Sequence, residues 1–260
     1  MIRRALLGLA TLVALGFLAL PIVAIFARVP PGRLAAQLSN GVVTDALVVS
    51  LKTTLIAQAL VLLLGTPTAY ALSHRFRGRS LLVTLVELPI VLPPAVAGIG
   101  LLAALGRTGL IHTTVPFTQT AVVLAVAFVS SPLYVRQAIA AFEAVDENLV
   151  AASRTLGSGP VRTFFRVVLP LARGGLVAGE ALAFARGLGE FGATIMFAGS
   201  LRGVTQTLPL AVYSEFDVNF DVALAVGGLL VLVSAALLIT LKWLASTSTS
   251  PFRFALSSSA

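Results

Sequence analysis

Six long apolar segments, separated by short charged connections, constrain this chain more than any other feature. Three carry no charge at all: Ala5–Ala27, Phe117–Val135 and Val222–Leu241. Three are interrupted. Thr44–Ser73 carries only Asp45 and Lys52, Leu81–Gly106 only Glu87, and Gly174–Gly199 carries Glu180, Arg186 and Glu190. About 20 residues at a rise of 1.5 Å per residue cover the ~30 Å hydrocarbon core of a bilayer. The pattern predicts an all-α polytopic membrane protein with six transmembrane helices. Composition closes off the soluble alternative: charged residues are 11% of the chain and hydrophobic ones 58%, with a mean hydropathy of +1.01. A soluble domain carries roughly 25% charge. Disorder, collagen and coiled coils are excluded on the same grounds.

The charges are unbalanced, 18 Lys and Arg against 10 Asp and Glu. In a soluble protein such an excess suggests nucleic acid. Here it is a topology signal, because cytoplasmic loops of membrane proteins collect Arg and Lys. With the N-terminus inside, the inside segments hold twelve: Arg3, Arg4, Arg75, Arg77, Arg79, Arg136, Arg154, Arg162, Arg166, Arg173, Lys242 and Arg253. The outside loops hold four, Arg28, Arg33, Arg107 and Arg202. Both termini are therefore expected in the cytoplasm. The first apolar run exceeds the 7–15 residues of a signal-peptide core and lacks a clean cleavage site, so it is read as an uncleaved helix. The expected organisation is residues 1–41 as a first helix and outer loop, 42–245 as the transmembrane core with an inside loop at 143–173, and 246–260 as a disordered Ser/Thr-rich tail.

The inside loop is the most informative stretch. Asn148–Leu156 has a helical face, and Gly157 follows where a left-handed stop is expected. Pro160 then suits the first position of a second helix. Val161, Phe164, Phe165, Val168 and Leu169 form an apolar stripe at i, i+3, i+4, i+7 and i+8, with Arg162 and Arg166 opposite and Pro170 as the expected end. Two readings of this loop are open on physical grounds. It is an amphipathic helix resting on anionic lipid, or a docking surface for another protein.

The order Ala151-Ala152-Ser153, three residues, Gly157, nine residues, then Val167-Val168-Leu169-Pro170 resembles the EAA loop of ABC importer permeases, whose pattern is EAA, three residues, Gly, nine residues, I-x-L-P. Ala151 departs from it, standing where that family usually has Glu. A second stretch, Phe184-Ala185-Arg186-Gly187-Leu188-Gly189-Glu190-Phe191-Gly192-Ala193-Thr194, followed by Thr205-Gln206-Thr207-Leu208-Pro209-Leu210, resembles the permease subunits of molybdate importers, which are type I ABC importers. The Leu88-Pro89-Ile90-Val91-Leu92-Pro93-Pro94 stretch shares that likeness, which runs from about Thr44 to Trp243. Sulfate permeases share the Gly189-Glu190-Phe191-Gly192-Ala193 core but are less similar beyond it.

The resemblance implies a MetI-like permease fold and a homodimer with the path along its axis. It implies two cytoplasmic ATPase subunits docked at Ala151, Ala152, Ser153, Gly157, Arg162, Arg166, Leu169 and Pro170, with ATP and Mg bound on those partners. An extracytoplasmic protein would deliver a tetrahedral oxyanion, molybdate or tungstate first and sulfate or thiosulfate as the alternative, across a bacterial inner membrane. A passive anion channel is a further alternative, although a docking loop has no purpose there.

The remaining motifs are read from the residues. Arg186 and Glu190, four apart, share a helix face. Arg186 is expected near the bilayer midplane, where a lone charge costs at least about 2.5–3.5 kcal/mol. They form either an internal ion pair that fixes packing or, with Thr194, part of an anion path. Gly187-x-Gly189-x-x-Gly192 matches a dinucleotide-binding fingerprint but lacks the strand that reading needs. Glycines in membrane helices serve close packing, as Gly175-x-x-x-Gly179 also suggests. Lys52 is expected to snorkel and Glu87 to reach the inner interface, while Pro89, Pro93 and Pro94 should kink or break their helix. No cysteine is present, no P-loop motif occurs, and His74 and His112 lie on opposite sides. No catalytic constellation, resident cofactor, metal site or nucleic-acid role follows.

Overall fold

The computed structural model describes residues 2–30, 32, 36–37 and 40–247. Most of the expected 246–260 tail thus lies outside the described residues. Among the described residues five helices are long and apolar enough to cross a membrane, and the count is six where the bent pair is taken as one span. In chain order the helices are α1 (Ile2–Arg28), α2 (Gly41–Ser73), α3 (Arg79–Val91), α4 (Pro94–Leu105), α5 (Gln119–Glu143), α6 (Glu147–Thr155), α7 (Pro160–Thr163), α8 (Leu169–Leu188), α9 (Gly192–Ala198), α10 (Leu208–Phe216) and α11 (Phe220–Thr247). A π-helical turn, Phe164–Val168, joins α7 to α8. Among the described residues there is no strand, which leaves the glycine fingerprint at 187–192 without a dinucleotide-binding context.

The third segment breaks where its prolines demand. Pro93 is the cap and Pro94 opens α4, and the two halves are bent by 113°. A proline lacks the N–H that would continue the α3 ladder, but its fixed φ suits the first turn of a new helix. Pro89 is absorbed inside α3.

The fifth segment differs from expectation at both ends. Pro170 does not end a surface helix: the span candidate runs from Pro160 to Leu188. The wide turn explains this, since the Leu169 N–H reaches back to the Phe164 carbonyl, one residue further than in an α-helix. That geometry makes room for a proline in the next position. At the other end the helix stops at Leu188 and restarts as α9, so Arg186 sits in the last turn of its helix and not midway along a continuous span.

The chain divides into two compact units, Met1–Ser50 with Ser200–Ser234, and Leu51–Gly199 with Ala235–Ala260. The first has a small core of Val43, Ala46, Leu208, Ala211, Val222 and Val226. There the Leu208 N–H donates to Ser50 Oγ at 2.7 Å, and Arg202 pairs with Asp45 at 3.2 Å. The second unit has two clusters. One gathers Val61, Leu72, Tyr134, Phe142, Val168 and Leu176, and the other Ala57, Ala97, Val122, Val126, Ala193 and Phe197.

Glycines set the closeness of helix packing in the second unit. A Cβ on Gly175 would lie 2.5 Å from the Ala141 Cβ, and one on Gly179 would lie 2.9 Å from the Gln137 Cβ, so α8 presses on α5 through the Gly175/Gly179 stripe. A Cβ on Gly98 would lie 2.6 Å from the Ala193 carbonyl oxygen, which joins α4 to α9. Substituting Gly175 with Val should therefore destabilise the protein by about 1–3 kcal/mol through overpacking. Gly100→Ala, which meets nothing within 4 Å, should leave stability unchanged or slightly raised. Thermal unfolding of the purified variants in detergent checks the pair.

Candidate functional site

Two places collect the residues singled out by sequence. The first is the loop between α5 and α8. Asp146 starts α6: its side chain accepts the Asn148 N–H at 2.8 Å, filling one orphan donor of the helix. Gly157, at φ +82°, ends the helix in the left-handed region. The Gly157 N–H bonds the Arg154 carbonyl and the Ser158 N–H the Ser153 carbonyl. Ser153 Oγ and Thr163 Oγ1 share a 3.2 Å hydrogen bond, and Thr163 is buried, so α6 is pinned to α7. Sequence reasoning missed Asp146 and Thr163. An Asp two residues ahead of a helical face was the available signal for the first, whereas nothing local marked the second.

The apolar stripe expected at 161–169 is divided. Phe164, Val168 and Leu169 pack inward, where Phe164 meets the rings of Tyr70 and Phe142 at centroid distances of 4.7 and 6.1 Å. Val161 and Phe165 face out, 69% and 60% exposed. The wide turn shifts the register within the stripe, so the five residues do not share one face. Arg162, Arg166, Gly157 and Pro170 are exposed.

The structure also separates the three residues of the Ala151-Ala152-Ser153 run. Ala152 and Ser153 line an open groove of about 610 Å³ with Leu149, Leu156, Arg162, Arg166 and Pro170. Ala151 lines a different cavity, on the other side of α6.

The second place is the broken end of α8. Arg186 Nη1 lies 2.7 Å from Glu190 Oε2, and the Glu190 side chain is 1% exposed against 33% for Arg186. The other carboxylate oxygen of Glu190 accepts the Ala193 N–H at 2.7 Å. Glu190 therefore holds a cation and the first turn of α9 at once. Thr194 follows on α9; its hydroxyl is buried and has no hydrogen-bond partner among the described residues.

Gln58, on α2, was not singled out by sequence, although an amide in an apolar run was a visible signal. Its Nε2 donates to Ser130 Oγ at 3.2 Å and to the Ala183 carbonyl at 3.4 Å, while its Oε1 is buried without a partner. It lies against Gly187, where an added Cβ would come within 2.8 Å of Nε2.

The structure adds partners that the sequence did not specify. Glu87 pairs with Arg136 at 3.5 Å, tying α3 to α5. Arg79 and Glu143 form a second tie between these helices. The Lys52 Nζ donates to Gln119 Oε1 at 2.8 Å. No group of three or more potential metal ligands occurs among the described residues.

Residues 61–246 match the family described as the binding-protein-dependent transport system inner membrane component. The chain belongs to that family. It is thus a multi-pass inner-membrane transport component.

Among similar proteins, the molybdenum transport system permease protein ModB of Mycobacterium tuberculosis is 44% identical over 228 residues, covering 84% of this chain and 86% of that one. A probable molybdenum ABC transporter permease protein of Haloferax volcanii is 43% identical, covering 82% and 81%. ModB of Escherichia coli is 43% identical over 179 residues, covering 65% and 78%. Among solved structures, an inward-facing MetNI methionine ABC transporter aligns with a TM-score of 0.64 at 18% identity, covering 80% of this chain and 96% of that one. A bacterial alginate-importing ABC transporter aligns with a TM-score of 0.61 at 19% identity, covering 95% and 94%. These likenesses establish the expected MetI-like importer permease fold.

Removing the Glu190 charge would leave a guanidinium in a largely apolar site. Glu190→Gln should destabilise the protein, and the double variant with Arg186→Gln should be more stable than the sum of the two singles by about 1–3 kcal/mol. A double-mutant cycle of thermal unfolding measures that coupling.

Proposed function

We propose that this chain is the permease subunit of an ATP-driven molybdate importer. Its membership of the binding-protein-dependent transport family supports the transport role. The names of its relatives, molybdenum permeases at 43–44% identity over most of the chain, support the substrate. Tungstate shares molybdate's shape and charge. A sulfate or thiosulfate permease is the alternative substrate reading, and the similar relatives reported above give it no added weight. Both termini are cytoplasmic in this proposal, by the twelve-to-four distribution of positive charge.

The chain works as a homodimer, with two cytoplasmic ATPase subunits that bind ATP and Mg and an outer binding protein that delivers the oxyanion. Each ATPase subunit docks on the loop at Ala151, Ala152, Ser153, Gly157, Arg162, Arg166, Leu169 and Pro170, around the groove between α6 and the segment from α7 to the start of α8. Leu149, Ala152 and Leu156 give that groove its apolar wall, Ser153 adds a hydroxyl, and Arg162 and Arg166 give it a free basic edge. An exposed apolar patch with a charged rim has the composition of a protein interface. ATP-driven closure of the ATPase pair moves the loop, and the pinned α6–α7 pair carries that motion into α8. The cavity then switches between inward and outward states, as a two-state population shift.

Arg186, Glu190 and Thr194 line the anion path. The partly exposed guanidinium of Arg186 meets the anion, buried Glu190 holds it in place, and the buried, unpaired Thr194 hydroxyl becomes a donor to the anion when the path opens. The break at Gly189–Phe191 supplies irregular backbone of the kind that transporters place beside their substrate cavities.

The decisive experiment reconstitutes the chain with an ATPase subunit and a binding protein in vesicles. Molybdate uptake should require ATP and the ATPase subunit. Uptake without them would make the chain a passive channel, and uptake driven by sulfate alone would overturn the substrate. Within that system, Arg186→Gln should lower uptake at least about tenfold while the complex stays assembled; unchanged uptake would remove Arg186 from the path. Replacing both Arg162 and Arg166 by Glu should abolish co-purification of the ATPase subunit.

A further inference from the structure

Helix α6 has a second face, turned away from the groove with the basic edge. Glu147, Val150, Ala151 and Arg154 follow at i, i+3, i+4 and i+7, so they share that face. Together they line a separate cavity of about 870 Å³. Ala151 ends at its Cβ, which leaves a notch on the helix. A carboxylate stands one turn before the notch and a guanidinium about one turn after it.

The charges around this notch divide into committed and uncommitted groups. Arg79 and Glu143, on the other walls of the cavity, pair with one another, and Arg79 Nε also donates to the Leu72 carbonyl at 2.6 Å. Glu147 has no ion pair among the described residues, and neither has Arg154 or Arg75. All three are exposed. With Glu143 committed, Glu147 is the free carboxylate of the cavity. The groove on the other face of α6 is the electrostatic opposite, since its charged lining residues are Arg162 and Arg166.

We propose that Glu147 is an acidic docking contact for the ATPase subunit, pairing with a Lys or Arg side chain that the partner lays into the notch over Ala151. The notch is continuous with the docking loop, because Ala151 belongs to both. The pattern that the loop resembles has a glutamate at the position of Ala151. Glu147 lies four residues earlier on the same face, about 6 Å along the axis, within reach of a long basic side chain. Arg154 and Arg75 repel such a side chain and steer it to the Glu147 end of the notch. A partner that fits α6 must then present acid to one face and base to the other, which fixes its register on the helix. The proposal rests on the docking of an ATPase subunit at this loop and is independent of the anion transported.

The test titrates the full-length permease, held in lipid nanodiscs, with the ATPase subunit at low salt and reads the Kd. Glu147→Gln should weaken binding at least about fivefold, as loss of a charge pair at an interface rim does. Glu147→Lys should weaken it further. Adding Ala151→Glu to Glu147→Gln should bring the Kd back to within about twofold of the wild type. That rescue excludes a role confined to the start of α6, because a carboxylate in the middle of a helix cannot replace one in its first turn. Unchanged affinity in Glu147→Gln overturns the proposal, and so does a loss that Ala151→Glu fails to restore. Tighter binding by Glu147→Lys overturns it as well, since the partner group would then be acidic. Replacing both Arg162 and Arg166 by Glu separates the two readings. Binding that survives this change overturns the docking of the ATPase at the loop and the proposal with it. Binding lost there but unchanged in Glu147→Gln overturns the role of Glu147 alone.

Discussion

A helix that stops inside an apolar segment must find partners for the backbone groups it leaves behind, and much of the second unit follows from how this chain does so. Water is absent from the bilayer core, and each unsatisfied group there costs several kcal/mol. The chain breaks twice, at Leu92–Pro93 and at Gly189–Phe191. At the first break a proline supplies a residue with no N–H to satisfy. At the second, the Glu190 carboxylate accepts the Ala193 N–H. That carboxylate is itself costly in an apolar site, and the Arg186 guanidinium offsets its charge. Backbone satisfaction and charge neutralisation are thus one problem at this position, solved by one side chain.

The two short helices that follow the breaks, α4 and α9, pack on one another with almost no side chain between them. Gly98 lies against Ala193, and Gly192 against Pro94. Hydrophobic burial contributes little to helix association in lipid, so backbone approach and dispersion carry it. The glycines that resembled a nucleotide fingerprint serve this purpose: Gly187 fits under Gln58 and Val126, and Gly192 under Pro94. Gly189 has only its own helix nearby and sits at the break.

Much of this was legible in the sequence because it depends on local chemistry. Apolar length gave the spans, Pro93-Pro94 the bend, Gly157 the left-handed stop and Pro160 the helix start. The i, i+4 spacing of Arg186 and Glu190 gave their pairing. What was illegible depended on a neighbour distant in sequence or on a change of helical period. Glu87 meets Arg136 across helices, and Lys52 meets Gln119 across 67 positions. The end placed at Pro170 rested on an α-helical rule that a π turn relaxes. The division of Ala151 from Ala152 and Ser153 is a matter of which cavity each side of α6 borders, and spacing alone does not encode that.

The π turn at Phe164–Val168 has a consequence for how such a protein can diverge. It adds one residue to a helix whose neighbours are about 100° apart around the axis. The faces on either side of it are therefore offset from those of a continuous α-helix. Above it, glycines at 175 and 179 fix the azimuth of α8 against α5. Arg162 before the turn and Arg166 within it point where the extra residue sends them. Gaining or losing that single residue would swing the basic face around the axis without disturbing a glycine contact in the span. The turn acts as a swivel between a packing problem and a recognition problem, so the two can change separately along one helix.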